Sequence, residues 1–264
     1  MAVPATEFRN IRVSGDGAAA RIVLARPEKR NALSLELMRE LIEALRTAAG
    51  SAARAVVIEG DGVCFSAGHD LGEMVGREDA FYRELFDVCT EVMESIHRLP
   101  QPVIAKVHGI ATAAGCQLVA ACDLGVAAEG TRFATPGVKI GLFCSTPAVP
   151  IVRAIGRKRA LELLLTGEPI DAETALEWGL VNRVVPAEQL DDAVAELVAA
   201  IARSSPVTIG IGKQAFYEQV DLDEAAAYEV TKGVMASNSL VDDAQEGMSA
   251  FLEKRAPAWK DAGG

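Results

Sequence analysis

The chain has 264 residues, half of them apolar and 24% charged. That composition is ordinary for a globular protein, and the length fits one core domain with a smaller appendage. A formal net charge of −11 argues against a nucleic-acid partner, because neutralising phosphates needs a basic surface, but a local cluster of Lys and Arg could still hold a small anion.

No window approaches the ~18 consecutive apolar residues of a membrane span, so no membrane partner is expected. The opening stretch "MAVPATEFRNIRVSGDG" lacks the basic-then-apolar order of a signal peptide, and the cytoplasm is the expected compartment. The five cysteines (Cys64, Cys89, Cys116, Cys122, Cys144) are odd in number and contain no CxxC pair. His69, His97 and His108 are scattered without ligand spacing. Neither a disulfide framework nor a metal site is expected.

In chain order, "FRNIRVSGDGAAARIVLA" predicts two short strands joined by a turn at "SGDG". The basic, proline-containing "RPEKRN" breaks that pattern. Leu35, Met38, Leu41, Ile42 and Leu45 then follow helical spacing, with Ser34 as N-cap and Gly50 as stop. "RAVVIEG" is continuously apolar and β-branched, as a strand buried on both faces should be. A glycine-punctuated loop, "DGVCFSAGHDLGEM", precedes a predicted helix around Glu78–Arg98 that ends before Pro100 and Pro102. "PVIAKVHG" predicts a second buried strand, "IATAAG" a turn, "CQLVAACD" a short helix and "LGVAAE" a third strand. Strands alternating with helices indicate right-handed parallel crossovers, hence an α/β fold. From Thr146 the chain turns mostly helical, and its character changes near Ser204–Pro206. The expected division is a core over residues 1–203 and a helical C-terminal region over 204–264.

Four segments together resemble the crotonase (enoyl-CoA hydratase/isomerase) superfamily. They are "GDGVCFSAGHDL", the run from "PVIAKVHG" through "FATPGVKIGL", "LLLTGEPIDAETALEWGLVNRVVP" and the C-terminal "DAQEGMSAFLEKRAPAWK". They occur in register over nearly the whole chain. The pattern "AAGCQLVA", "FATPGV", "GLFCSTP" is most similar to the subgroup labelled enoyl-CoA hydratase domain-containing. The resemblance implies a spiral of ββα units with a C-terminal helical oligomerisation region that builds trimers or dimers of trimers. It also implies a coenzyme A thioester as ligand or substrate, with no resident cofactor.

The family device is an oxyanion hole of two backbone N–H groups that stabilise enolate charge on the thioester oxygen. By position these are the amides of His69 and Ala114. The "AAGCQLVAA" segment itself predicts amides at a helix N-terminus, where the dipole favours negative charge. The resemblance also lays Ala32, Ala67, Gly68, Asp70 and Leu71 along the ligand and turns Arg26, Lys29 and Arg30 toward the CoA phosphates. Phe251 and Lys254 match positions that reach CoA, in some members from a neighbouring subunit; the alternative for Phe251 is inward packing in an amphipathic helix.

The hydratases of the family use two glutamates, and here those positions are Gln117 and Gly137. An amide does not titrate and glycine has no side chain. General acid–base catalysis is typically worth ~10²–10⁴-fold per group, so losing both would remove roughly 5–10 kcal/mol of barrier lowering. Cys144 stands just past the second position, either as a chemical participant or as packing. Asp70 either caps the turn that follows it or transfers protons. A non-catalytic acyl-CoA binder and a decarboxylase are the alternatives to a hydratase- or isomerase-like enzyme.

Overall fold

The computed structural model describes residues 8–260. The first seven residues, on which part of the signal-peptide reading rests, lie outside the described residues. Strand β1 (Ile11–Asp16) pairs antiparallel with β2 (Ala19–Leu24). Ser14, Gly15 and Asp16, expected in the turn, belong to β1. The loop is only Gly17–Ala18, where Gly17 adopts φ +57° as a tight hairpin demands. Helix α1 (Leu35–Ala49) starts where Ser34 caps it by accepting from the amide of Leu37 at 3.2 Å, and Gly50 follows its last residue. Strand β3 (Ala55–Gly60), the short helix α2 (Leu71–Met74) and the long α3 (Asp79–Arg98) come next.

Strand β4 (Val103–Val107) is followed by β5 (Ile110–Thr112), α4 (Ala114–Ala121), β6 (Leu124–Ala128) and β7 (Arg132–Ala134). "IATAAG" is therefore not simply a turn. Its first three residues form β5, and α4 begins two residues before the predicted helix. The rest comprises α5 (Ser145–Ile155), α6 (Arg157–Thr166), β8 (Ile170–Asp171), α7 (Ala172–Trp178), β9 (Arg183–Val185), α8 (Leu190–Ala202), α9 (Pro206–Gln219), α10 (Glu224–Asn238) and α11 (Asp242–Glu253).

The strands form two sheets, in the orders β1-β2-β3-β4-β6-β9 and β5-β7-β8. All pairings of the first sheet beyond the hairpin are parallel. Central β3 is buried on both faces, since Ala55, Val56, Val57 and Ile58 are each 0% exposed. Val56 and Ile58 join the main core under α1 and α3, while Ala55 and Val57 join a second cluster with Val194 and Val198 of α8. This is the two-sided burial that the unbroken apolar run required.

The C-terminal helices differ. Helix α10 contributes no buried residue and α9 only Gly210. Phe216, Tyr228, Met235, Leu240, Phe251 and Leu252 are exposed. A buried polar node holds α9 to the core: Lys213 Nζ donates to Asp123 at 2.6 Å and to the carbonyls of Ile96 and Gln101 at 2.8 and 2.9 Å. The Tyr217 hydroxyl donates to the other oxygen of Asp123 at 2.7 Å. Among the described residues no single helix is long and apolar enough to cross a membrane.

Candidate active site

The segment 64–70 runs between two neighbours and bonds to both. On one side Phe65 N and Ser66 N donate to the carbonyls of His108 and Ile110, and Ser66 O accepts from Thr112 N. On the other, Ala67 N donates to Arg30 O, Gly68 O accepts from Leu33 N at 2.8 Å, and Asp70 N donates to Leu33 O at 3.2 Å. The amide of Gly68 donates to Ser66 Oγ at 3.2 Å. Every amide from 65 to 70 except that of His69 is thus engaged. His69 N donates to no acceptor among the described residues.

The N-terminus of α4 meets this turn. A Cβ on Gly68 would lie 2.8 Å from Ala113 Cβ and 3.2 Å from Ala114 N, and one on Gly115 would lie 2.6 Å from Ser66 O. The 2.8 and 2.6 Å approaches are closer than Cβ atoms come, so glycine is required at both positions. Gly68 also adopts φ +88°. Ala114 N has no acceptor among the described residues, as expected at the start of a helix. It is aimed by Ala113, whose φ of 49° and ψ of −118° are sparsely populated for alanine. The amide of Ala114 thereby sits beside residue 68, whose peptide carries the N–H of His69.

The His69 imidazole packs edge-on against Phe86 of α3, with ring centroids 5.6 Å apart. Both ring nitrogens are buried without a hydrogen-bond partner. Burial pulls the imidazole pKa below its usual value; the nearby Leu33 carbonyl opposes this without closing a hydrogen bond. Asp70 does cap the next turn, accepting from Gly72 N at 3.1 Å through one oxygen, while the other accepts from Arg26 Nη2 at 3.0 Å.

The two positions that the family resemblance assigns to the hydratase acids are neutral here. Gln117, 3% exposed, accepts from Cys89 Sγ at 3.8 Å through Oε1. Its amide nitrogen donates to no acceptor among the described residues. Gly137 lies in the 3-10 turn Pro136–Ile140. A Cβ there would fall 2.1 Å from Leu142 O and 2.7 Å from Cys144 Sγ, so Gly137 is not a slot from which a side chain could point. Cys144 fills that space at 8% exposure, and burial raises its thiol pKa against a weaker opposing effect from the Gly137 backbone. Burial pushes Cys89 and Cys116 up to about 12. None of these thiols is activated as a nucleophile.

Two of the expected phosphate contacts are free and one is not. Lys29 and Arg30 are exposed with no ion pair among the described residues. Arg26 instead joins two parts of the protein, donating to Ala32 O at 2.8 Å as well as to Asp70. Its guanidinium braces the turn against α2. Ala32 is buried, Ala67 half-buried and Leu71 exposed. Phe251 is not packed inward: it is 83% exposed, one turn before Lys254, which ends α11 in the left-handed conformation. Among the described residues no hydrogen bond or ion pair joins either of them to the donor turn.

Sequence reasoning missed three features of the site region. The Arg26–Asp70 brace joins residues far apart in sequence and left no local signal. The strained Ala113 gave none either, because alanine is not a residue that marks positive φ. The Lys213–Asp123 node had a faint one, since Gly210, Lys213 and Tyr217 share a helix face at spacings of three and four.

This fold and site define a class. The profile of the enoyl-CoA hydratase/isomerase family matches residues 15–262, and the chain belongs to that family. It is 45% identical over 258 residues to enoyl-CoA hydratase domain-containing protein 3, mitochondrial, of Rattus norvegicus, covering 97% of this chain and 86% of the relative. An enoyl-CoA hydratase structure from Mycobacterium smegmatis superposes with a TM-score of 0.93 at 47% identity, covering 95% and 99% of the two chains. The human enoyl-CoA hydratase domain-containing protein 3 structure gives 0.92 at 44%, covering 95% and 100%. The crotonase-type fold with its helical C-terminal region is thereby established. The expectation of a cytoplasmic location is overturned: the rat relative and its mouse and human counterparts are all named mitochondrial.

Proposed function

We propose that this protein binds acyl-CoA thioesters and polarises the thioester oxygen between the amides of His69 and Ala114, with hydration by paired carboxylates weak or absent. The observation that carries this reading is the single unengaged amide in a fully bonded turn, set against a helix N-terminus by two obligatory glycine contacts. Fixed dipoles of this kind stabilise developing negative charge without reorganising, and one such donor is typically worth ~10²–10³-fold. A carbonyl oxygen bound there is drawn toward the enolate form, so a bond to the α-carbon can break or form with its electrons held on oxygen.

The neutral second wall limits the range of chemistry. Gln117 and Gly137 stand where the family resemblance assigns the hydratase glutamates. Gln117 can orient a water or a substrate oxygen but cannot take a proton. Reactions that need an enolate but no strong base, decarboxylation among them, fit this wall better than hydration. The neutral wall also favours a second reading, an acyl-CoA binder without turnover.

Lys29 and Arg30 are the cations free to meet the CoA phosphates. Residues 204–264 are read as the oligomerisation region, whose exposed Phe216, Met235, Leu240 and Phe251 would be covered in a trimer or dimer of trimers. Such an arrangement would let Phe251 and Lys254 reach CoA on a neighbour.

The test uses crotonyl-CoA, following loss of the conjugated thioester absorbance beside a calorimetric binding titration. Binding with little or no hydration is expected. Hydration at the rate of an ordinary hydratase would contradict the neutral wall, and absence of binding would contradict the ligand.

A further inference from the structure

Helix α9 lies mostly on the surface, yet it sends one charged side chain inward. The Lys213 side chain is 7% exposed, and three acceptors meet its ammonium: Asp123 Oδ2 and the carbonyls of Ile96 and Gln101. A buried ion pair of this kind is a weak source of net stability. What it fixes here is the end of two helices.

Ile96 lies in the last turn of α3, where Pro100 has no N–H to offer its carbonyl, so Lys213 supplies the donor. Gln214 Nε2 donates to the next carbonyl, that of His97, at 3.1 Å. A cation at this end also suits the helix dipole. Asp123 directly follows Cys122, the C-cap of α4. Its Oδ2 also accepts from Val103 N, at the head of β4, at 2.6 Å, and its Oδ1 accepts from the Tyr217 hydroxyl. The His97 ring stacks on Tyr217, with centroids 4.0 Å apart, and donates to the carbonyl of Ala121, the last residue of α4, at 3.1 Å. One face of α9 thus closes the C-terminal ends of both α3 and α4. The first residue of α4 is Ala114.

We propose that Lys213, acting through Asp123, is a positioning residue that sets the axis of α4 and so aims the Ala114 amide at the thioester oxygen. This rests on the acyl-CoA reading above and deepens it, because it makes a backbone donor depend on the C-terminal helical region. The other end of α4 is already placed: Ala113 N donates to Ala134 O at 2.9 Å, and Gly115 lies against Ser66. Those contacts fix where the helix begins but not the direction in which it runs. Asp123 holds the far end, and two held ends define the tilt of the Ala114 N–H. The helix is short, about 12 Å at 1.5 Å per residue, and seven of its eight residues are buried. Close packing leaves it no slack, so a shift at Asp123 is felt at Ala114. Dipole donors act only when held in place in this way.

The experiment takes the wild type, Lys213→Met, Tyr217→Phe and Gln214→Ala. For each it measures the affinity of butyryl-CoA relative to CoA, and the infrared band of the bound thioester carbonyl labelled with ¹³C. CoA has no acyl carbonyl, so the ratio isolates what the donors contribute. Lys213→Met keeps the alkyl stem without the charge. Its ratio should fall about fivefold, the worth of one hydrogen bond, and its band should return toward the position in water. Tyr217→Phe removes one of the two α9 bonds to Asp123 and should move the band the same way by less. Gln214→Ala removes bonds to the carbonyls of His97 and Leu99 but none to Asp123, so its band should stay where the wild type has it. Should Lys213→Met fail to fold, Tyr217→Phe against Gln214→Ala decides. A wild-type band in Lys213→Met and Tyr217→Phe, or an equal shift in Gln214→Ala, overturns the proposal and leaves thioester polarisation standing. A wild type that binds no butyryl-CoA, or binds it with the band unmoved, removes the underlying reading and this one with it.

Discussion

The two walls of the site are built from opposite materials. The wall made by segment 64–70 and residues 113–115 is backbone, locked by hydrogen bonds on both sides and by contacts at Gly68 and Gly115 that only glycine permits. The wall made by residues 137–144 has its one close contact at Gly137, yet its neighbours Ile140, Leu142 and Phe143 are about half exposed or more. The first wall is fixed by bonds to neighbouring segments; the second is closed mainly by its own bonds, Leu142 N to Gly137 O among them, and turns several side chains to solvent. A family that varies its chemistry while keeping its thioester device would be expected to have this asymmetry, because amide donors belong to the fold and acids belong to replaceable side chains.

The sharpest way to break the comparison is to place a methyl group on each wall. Gly68→Ala combines a positive φ with contacts of 2.8–3.2 Å to Ala113 Cβ, Thr112 O and Ala114 N. It should cost ~3–5 kcal/mol of stability in denaturant melts and abolish acyl-CoA binding. Gly137→Ala makes the shorter contacts, 2.1 Å to Leu142 O and 2.7 Å to Cys144 Sγ, but without the left-handed φ that also strains Gly68→Ala. A smaller loss of ~1–3 kcal/mol is expected, with binding retained. For the same reason Gly137→Glu should not restore hydration, which a crotonyl-CoA assay checks.

Gln117→Glu sharpens the contrast from the other side. It sets a carboxylate at a position 3% exposed, where burial raises its pKa in the folded state above the unfolded ~4.3. The folded state then binds the proton more tightly than the unfolded one. Stability should therefore fall as pH rises from about 4.3 through the folded pKa, costing ~1–3 kcal/mol near neutrality, as a pH series of melts would report. His69 gives the smallest effect and the opposite slope. Its pKa is lowered by burial, so the unfolded chain binds protons first as pH falls below about 6.5. Stability should decline from there toward acid, and His69→Phe should flatten part of that decline; His97, also lowered, accounts for another part.

Much of this fold was legible because its signals are local. Ser34, Gly50, the apolar run at Ala55–Ile58 and the Asp70 cap each act within a few residues. β5 was missed because three residues of strand between glycines look like a turn, and only its partner β7 reveals it. The donor turn came from a family pattern rather than from spacing alone. The feature that supports it in geometry, the lone amide of His69, depends on partners from Arg30, Leu33 and His108 that no local rule brings together. The inward Gly137–Cys144 contact was equally out of reach, since it depends on how the chain returns through Leu142.

The central claim is that backbone amides polarise a bound thioester without help from acids. Isotope-edited infrared spectroscopy of butyryl-CoA labelled with ¹³C at the thioester carbonyl tests it directly. The account predicts that the carbonyl band of the bound ligand moves below its position in water in the wild type and still does so in Gln117→Ala. A ligand that binds with its carbonyl band unmoved would contradict it.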